Sequence, residues 1–218
     1  MKNTRQLSAR RACALPHKTP ATCHKTVRRL LLALLLTLVI PQERVQSAVR
    51  NWNGAGFDNY WSNPANWNGA FPVAGDDLVF WGDAFAGSFN NTNDLPAGTA
   101  FRSITFQSTA TNYVLNGNGI VFSDPTHETA LSSFSSGSNT VRLDIELGVN
   151  QTFETTGVGP LVVDGNINLN GYNLTNSTTA DVNIGGVISG TGDLIKTGTG
   201  KLLLDGRFNN TYEGVTRV

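Results

Sequence analysis

From residue 78 onward the apolar residues come in short runs with a period of two: Leu78-Val79-Phe80-Trp81, Phe101-x-x-Ile104-x-Phe106, Tyr113-x-Leu115, Ile120-x-Phe122 and Val141-x-Leu143-x-Ile145-x-Leu147. The series continues with Leu161-x-Val163, Ile167-x-Leu169, Val182-x-Ile184, Val187-Ile188, Leu194-Ile195 and Leu202-x-Leu204. Alternation over so few residues is the pattern of strands with one buried face. Corner signals close the runs, among them Asn116-Gly117-Asn118-Gly119, Asp164-Gly165-Asn166, Asn170-Gly171, Gly185-Gly186 and Asp205-Gly206. A sandwich strand is about five to six residues long, with turn signals roughly every 8–12 residues. These runs are shorter and more closely punctuated. They suit a solenoid, in which each coil takes its backbone partners and its core from the coils on either side. The chain is therefore expected to be all-β, a parallel β-helix, with no long helix. Residues 48–218 hold all 23 glycines of the chain and 22 asparagines, the two residues that occupy positive-φ corners most cheaply.

One phrase is said twice: Gly190-Thr-Gly-Asp-Leu-Ile-Lys, then Gly198-Thr-Gly-Lys-Leu-Leu-Leu. Its grammar sets Gly at a corner and points Leu194, Leu202 and Leu204 inward. Taken alone, the echo also fits a single leucine-rich hairpin; the upstream runs with the same grammar favour a solenoid.

The stretch 185–218 also matches a known pattern, at Gly186, Ile188, Ser189, Gly190, Gly192, Leu194, Lys196, Gly198, Gly200, Leu202, Leu204 and Gly206, and then at Asn210, Tyr212, Gly214, Thr216 and Val218. In this it resembles the autotransporter-associated β-strand repeat. Residues 61–83, with Trp61, Trp67 and Trp81, are more loosely similar to the opening of bacterial surface proteins that carry such repeats. The resemblance implies a right-handed parallel β-helix exported to the cell surface or beyond. Full-length autotransporters continue into an outer-membrane barrel, whose alternating ten-residue strands do not occur here before Val218. The C-terminal end is accordingly expected to be truncated or uncapped.

The charge balance divides the chain near residue 47. Residues 1–47 carry nine Lys/Arg and one acid, whereas residues 48–218 carry seven Lys/Arg and fifteen acids. The first segment reads as a signal peptide with a long basic lead-in, an apolar stretch from Leu30 to Ile40, and a cut before Ala48. Eleven apolar residues fall short of the roughly 20 that span a bilayer. The alternative is an N-terminal membrane anchor. Met1 is the only methionine, so a shorter precursor would need a non-Met start, for instance at Val27. Cys13 and Cys23 both lie in this segment, which leaves the remainder without disulfides or thiolate metal ligands. The expected division is a signal over 1–47, an N-terminal cap with first strands over 48–100, and coils over 101–218.

Candidate chemistry is sparse. Trp52, Trp61, Trp67 and Trp81 are all the tryptophans and lie within thirty residues. They suit either a plug over the first coil or, with flanking amides, a contact surface for glycans. Corner carboxylates such as Asp76-Asp77, Asp164 and Asp193 are expected to bond their own turns, and no calcium-loop motif is present. His127 is the only histidine after residue 47, which excludes a His-built zinc site, and no nucleophile motif surrounds it. Asp144 and Glu146 share a face at i, i+2 and are expected to point to water, beside Arg142. Asn-x-Ser/Thr triplets at Asn90, Asn150, Asn173, Asn176 and Asn209 follow from the composition. The excess of acids after residue 47 repels nucleic acid. No catalytic residue, cofactor or metal is assigned. The function expected is a non-enzymatic, exported surface stalk or adhesin scaffold whose partners are extracellular glycans or surface proteins, with no integral membrane segment once the signal is removed. The alternatives are a secreted carbohydrate-binding or polysaccharide-cleaving β-helix protein and a remnant of a larger autotransporter.

Overall fold

The computed structural model describes residues 47–85 and 88–218; the signal segment expected at 1–47 lies, but for Ser47, outside the described residues. Among the described residues nineteen strands form three sheets, and every strand pairing is parallel. The first sheet stacks eight strands: Val49–Trp52, Asp77–Phe80, Ser103–Phe106, Thr129–Ser133, Gln151–Thr155, Leu174–Thr178, Leu194–Thr197 and Thr216–Arg217. The second stacks Asn90–Asn93, Val114–Gly117, Asn139–Val141, Leu161–Val163, Val182–Ile184 and Leu202–Leu204. The third stacks Thr99–Phe101, Ile120–Phe122, Ile145–Leu147, Ile167–Asn168 and Ile188–Ser189. The chain visits the three sheets in turn and then begins the next coil, which makes a parallel β-solenoid. At about 4.8 Å per strand, the eight-stranded sheet is a stack about 34 Å long.

Like residues stack on like. The third sheet buries the column Ile120, Ile145, Ile167 and Ile188. The second buries Leu115, Val141, Val163 and Ile184. Each such column excludes water from its neighbours' edges as well as its own, so the core is continuous from coil to coil. Leu194 of the doubled phrase pairs with Leu174 of the coil before and Thr216 of the coil after, and Leu202 pairs with Val182. The two leucine runs belong to different sheets and do not form a hairpin. Leu204 stands in register with inward Ile184, yet 37 % of it is exposed, because no later strand of the second sheet stacks on it among the described residues.

Glycine has a second job beside the positive-φ corner. A Cβ on Gly165 would overlap the Leu143 carbonyl, and one on Gly186 would overlap the carbonyl of Gly165 itself. Neither has a positive φ. Their absent side chains let successive coils approach backbone to backbone at the corner between the second and third sheets.

Candidate functional site

The end at Val49 is closed by the chain itself. The segment between strands Val49–Trp52 and Asp77–Phe80 forms no strand of the second or third sheet and folds across the first coil. Asn63 caps a single 3-10 turn, Pro64–Trp67, by accepting a hydrogen bond from the Ala65 N–H, and Asn68 ends it in the left-handed region. This turn drives Trp61 and Trp67 into the bore. Trp67 meets Trp52 edge-on at 5.0 Å and Trp61 at 5.8 Å, and Trp61 reaches Phe101 at 5.9 Å. Each indole N–H of the plug finds an acceptor: Asn91 Oδ1 for Trp61, the Trp61 carbonyl for Trp67 and the Ser88 carbonyl for Trp52. Residues 59–61 also pair with Thr92, which covers the edge of the second sheet.

Three of the four tryptophans named as possible glycan contacts are buried. Trp52, Trp61 and Trp67 are 1 %, 0 % and 2 % exposed, because the first coil lacks two of its three strands and needs large apolar side chains to fill its mouth. Rings so placed offer no face to a sugar. Trp81 alone reaches the surface, 40 % exposed, with its indole N–H donated to Asn51 Oδ1 at 3.0 Å. Phe57 and Phe85 are 85 % and 50 % exposed and meet edge to face at 5.5 Å. Exposed phenylalanine carries no signal in a sequence whose other phenylalanines mostly fill the core.

The corner carboxylates split into two groups. Asp124 bonds its own turn, accepting from the Thr126 N–H and hydroxyl, as expected. Asp144, Asp181 and Asp193 instead reach across to the next coil and accept the N–H of Asn166, Lys201 and Val215 at 2.8, 3.1 and 2.9 Å. Asparagines extend the same device. Asn150 accepts from Asn173 N–H, Asn173 from Asp193 N–H and Asp193 from Val215 N–H, one ladder running down one corner. A second ladder runs from Asp144 to Asn166 to Val187. Every rung sits immediately before a strand, so each side chain satisfies a backbone donor where the coil turns away from its neighbour.

Two ion pairs anchor the first corner. Asp76 is fully buried and accepts from Arg50 Nε at 2.7 Å, from the Ala48 N–H and from the Val73 N–H. Asp77 accepts a forked pair from Arg102 and the Ser103 hydroxyl at 2.6 Å. Burial pushes the Asp77 carboxyl up, but the Arg102 and Ser103 hydrogen bonds and the Arg102 charge outweigh it, leaving its pKa below the ordinary value. Ser103 is thus engaged by Asp77, and His127 sits half-buried in the Asp124 turn without a hydroxyl partner among the described contacts.

Asp144 and Glu146 both face water, as expected. Arg142, however, lies 3.5 Å from Asp164 of the next coil, and Glu146 accepts from Asn170 Nδ2 at 3.3 Å. Among the described residues no three His, Cys, Asp or Glu side chains converge as a metal site would require, and no helix is long and apolar enough to cross a membrane. No protein-family model, curated protein or solved structure matches the chain significantly.

Proposed function

We propose that the protein is an exported scaffold, displayed at the cell surface or secreted, that works as a structural stalk or adhesin support and carries out no reaction. The observation behind this reading is the use of its outward carboxylates. Asp144, Asp181 and Asp193 are committed to backbone N–H groups of adjacent coils and Asp77 to Arg102, so these four acids act as mortar between coils. A parallel stack with a plugged end is rigid for its mass and presents its residues at fixed spacing, which suits display. The basic and apolar leader over 1–47 and the likeness of 185–218 to an autotransporter-associated repeat point to export. Fractionation of the native host followed by intact-mass measurement tests it. The expected product is surface-bound or extracellular and begins at Ala48. A cytoplasmic product that retains residues 1–47 would overturn the reading.

A further inference from the structure

Phe57 combines two properties that rarely coincide: its φ is 61° and it is 85 % exposed. A bulky residue in the left-handed region is a strained outlier and persists only where its surroundings impose it. Here they do. The Asp58 carboxylate beside it accepts from Asn63 Nδ2 at 2.9 Å, from Asn66 Nδ2 at 2.7 Å and from the Tyr60 N–H at 3.1 Å, while the Gly56 N–H donates to Asn66 Oδ1 at 2.7 Å. Phe85 and Ser88 are tied to the same frame. The Phe85 N–H donates to the Asn53 carbonyl at 2.7 Å, and the Ser88 hydroxyl donates to the Gly54 carbonyl at 3.3 Å. A frame of buried and half-buried amides thus holds two aromatic rings at right angles in water, at a conformational cost that glycine would remove.

We propose that Phe57 and Phe85 form a binding platform for a neutral saccharide, one sugar ring stacking its C–H face on the exposed aromatic surface. Size and charge select this occupant. Two rings are too small a patch for a stable protein interface, which needs about 800 Å² per partner. Residues 48–218 carry fifteen acids against seven Lys/Arg, which disfavours anionic lipid and anionic polysaccharide. A cationic ligand would want several ring faces converging around it and a free carboxylate. This pair meets edge to face, and both Asp58 oxygens are taken up by Asn63, Asn66 and Tyr60. Preorganised rings lose little freedom on binding, which is what the strained frame supplies. The proposal rests on this geometry and not on export: a cytoplasmic protein would leave it standing.

The test titrates the full chain calorimetrically with cellohexaose, chitohexaose and maltohexaose, and with choline and anionic vesicles as contrasts. At least one hexasaccharide is expected to bind with Kd about 1 mM or tighter. Phe57→Ala and Phe85→Ala are each expected to weaken it about tenfold or more, and Trp81→Ala to leave it within about twofold. Phe57→Gly separates binding from folding: it is expected to abolish saccharide binding while keeping or raising Tm, since it relieves the strained φ. The proposal is overturned if none of the three sugars binds, if binding follows Trp81 and not the phenylalanines, if only choline or vesicles bind, or if Phe57→Gly lowers Tm.

Discussion

The corner ladders make a quantitative prediction at Asn173. Its Oδ1 accepts the Asp193 N–H at 2.9 Å across one coil step, and its own N–H is satisfied by Asn150 Oδ1, so Asn173→Ala removes one inter-coil bond and leaves the other intact. A net hydrogen bond is worth about 0.5–1.5 kcal/mol, and the half-buried Asp193 N–H regains part of this from water, so the expected loss is about 1 kcal/mol. In a domain of this size that is a fall in Tm of about 2–4 °C. The substitution Asn173→Asp keeps the acceptor oxygen, and aspartate already occupies the next rung at Asp193, so it should cost less than half as much. Urea denaturation measures the stability. Native-state amide exchange reads the location, because the Asp193 N–H should lose protection in Asn173→Ala while the Asn173 N–H keeps it. If Asn173→Asp costs as much as Asn173→Ala, or if Asp193 exchange does not move in Asn173→Ala, the side chain is not a rung and the ladder account is wrong.

Other contrasts test the remaining parts of the structure. Gly186→Ala should destabilise by about 1–3 kcal/mol or more in urea melts, because the added methyl meets the Gly165 backbone, which cannot swing aside. Trp61→Ala should cost about 3–5 kcal/mol, since it empties the plug and strands Asn91 Oδ1, whereas Trp81→Ala, at the surface, should stay within about 1 kcal/mol. Arg102→Ala should cost about 3–5 kcal/mol by leaving the nearly buried Asp77 unpaired, while Arg142→Ala, in an exposed pair with Asp164, should cost about 0–1 kcal/mol. The pH profile carries the same sign: the folded Asp77 pKa lies below its ordinary 3.8, so its contribution is fully present above that value and is lost as pH falls through the folded one. Acid melts of Arg102→Ala should therefore show a weaker dependence below about pH 4 than the parent protein.

Much of the coil architecture is legible in the residues. The repeated isoleucines of the third sheet and the Leu-Val-Val-Ile column of the second announce themselves by period and by the Gly and Asn that follow each run. The tryptophans left two readings open, because a plug and a sugar platform ask for the same rings, and only the missing strands of the first coil decide between them. The ladders do carry a signal in the sequence: Asn150, Asn173 and Asp193 each stand one residue before a strand at intervals of 23 and 20 residues. A corner Asp looks alike whether it bonds its own turn, as Asp124 does, or the next coil, as Asp193 does, since the choice depends on what lies about 4.8 Å below. Phe57 was beyond reach for another reason. Its left-handed backbone is imposed by Asn63 and Asn66 through Asp58, and no local preference of phenylalanine predicts it.

Cysteine cross-linking tests the stacking of the coils most directly, at the doubled phrase itself. With Cys13 and Cys23 replaced by serine, Thr175→Cys and Ile195→Cys place two thiols on register partners of adjacent parallel strands, at a separation that accepts a disulfide. The account predicts that this pair oxidises readily, and that Ile195→Cys with Leu204→Cys, whose strands belong to different sheets, does not. Ready closure of the second pair and failure of the first would mean that the two leucine runs form a hairpin, and would contradict the solenoid.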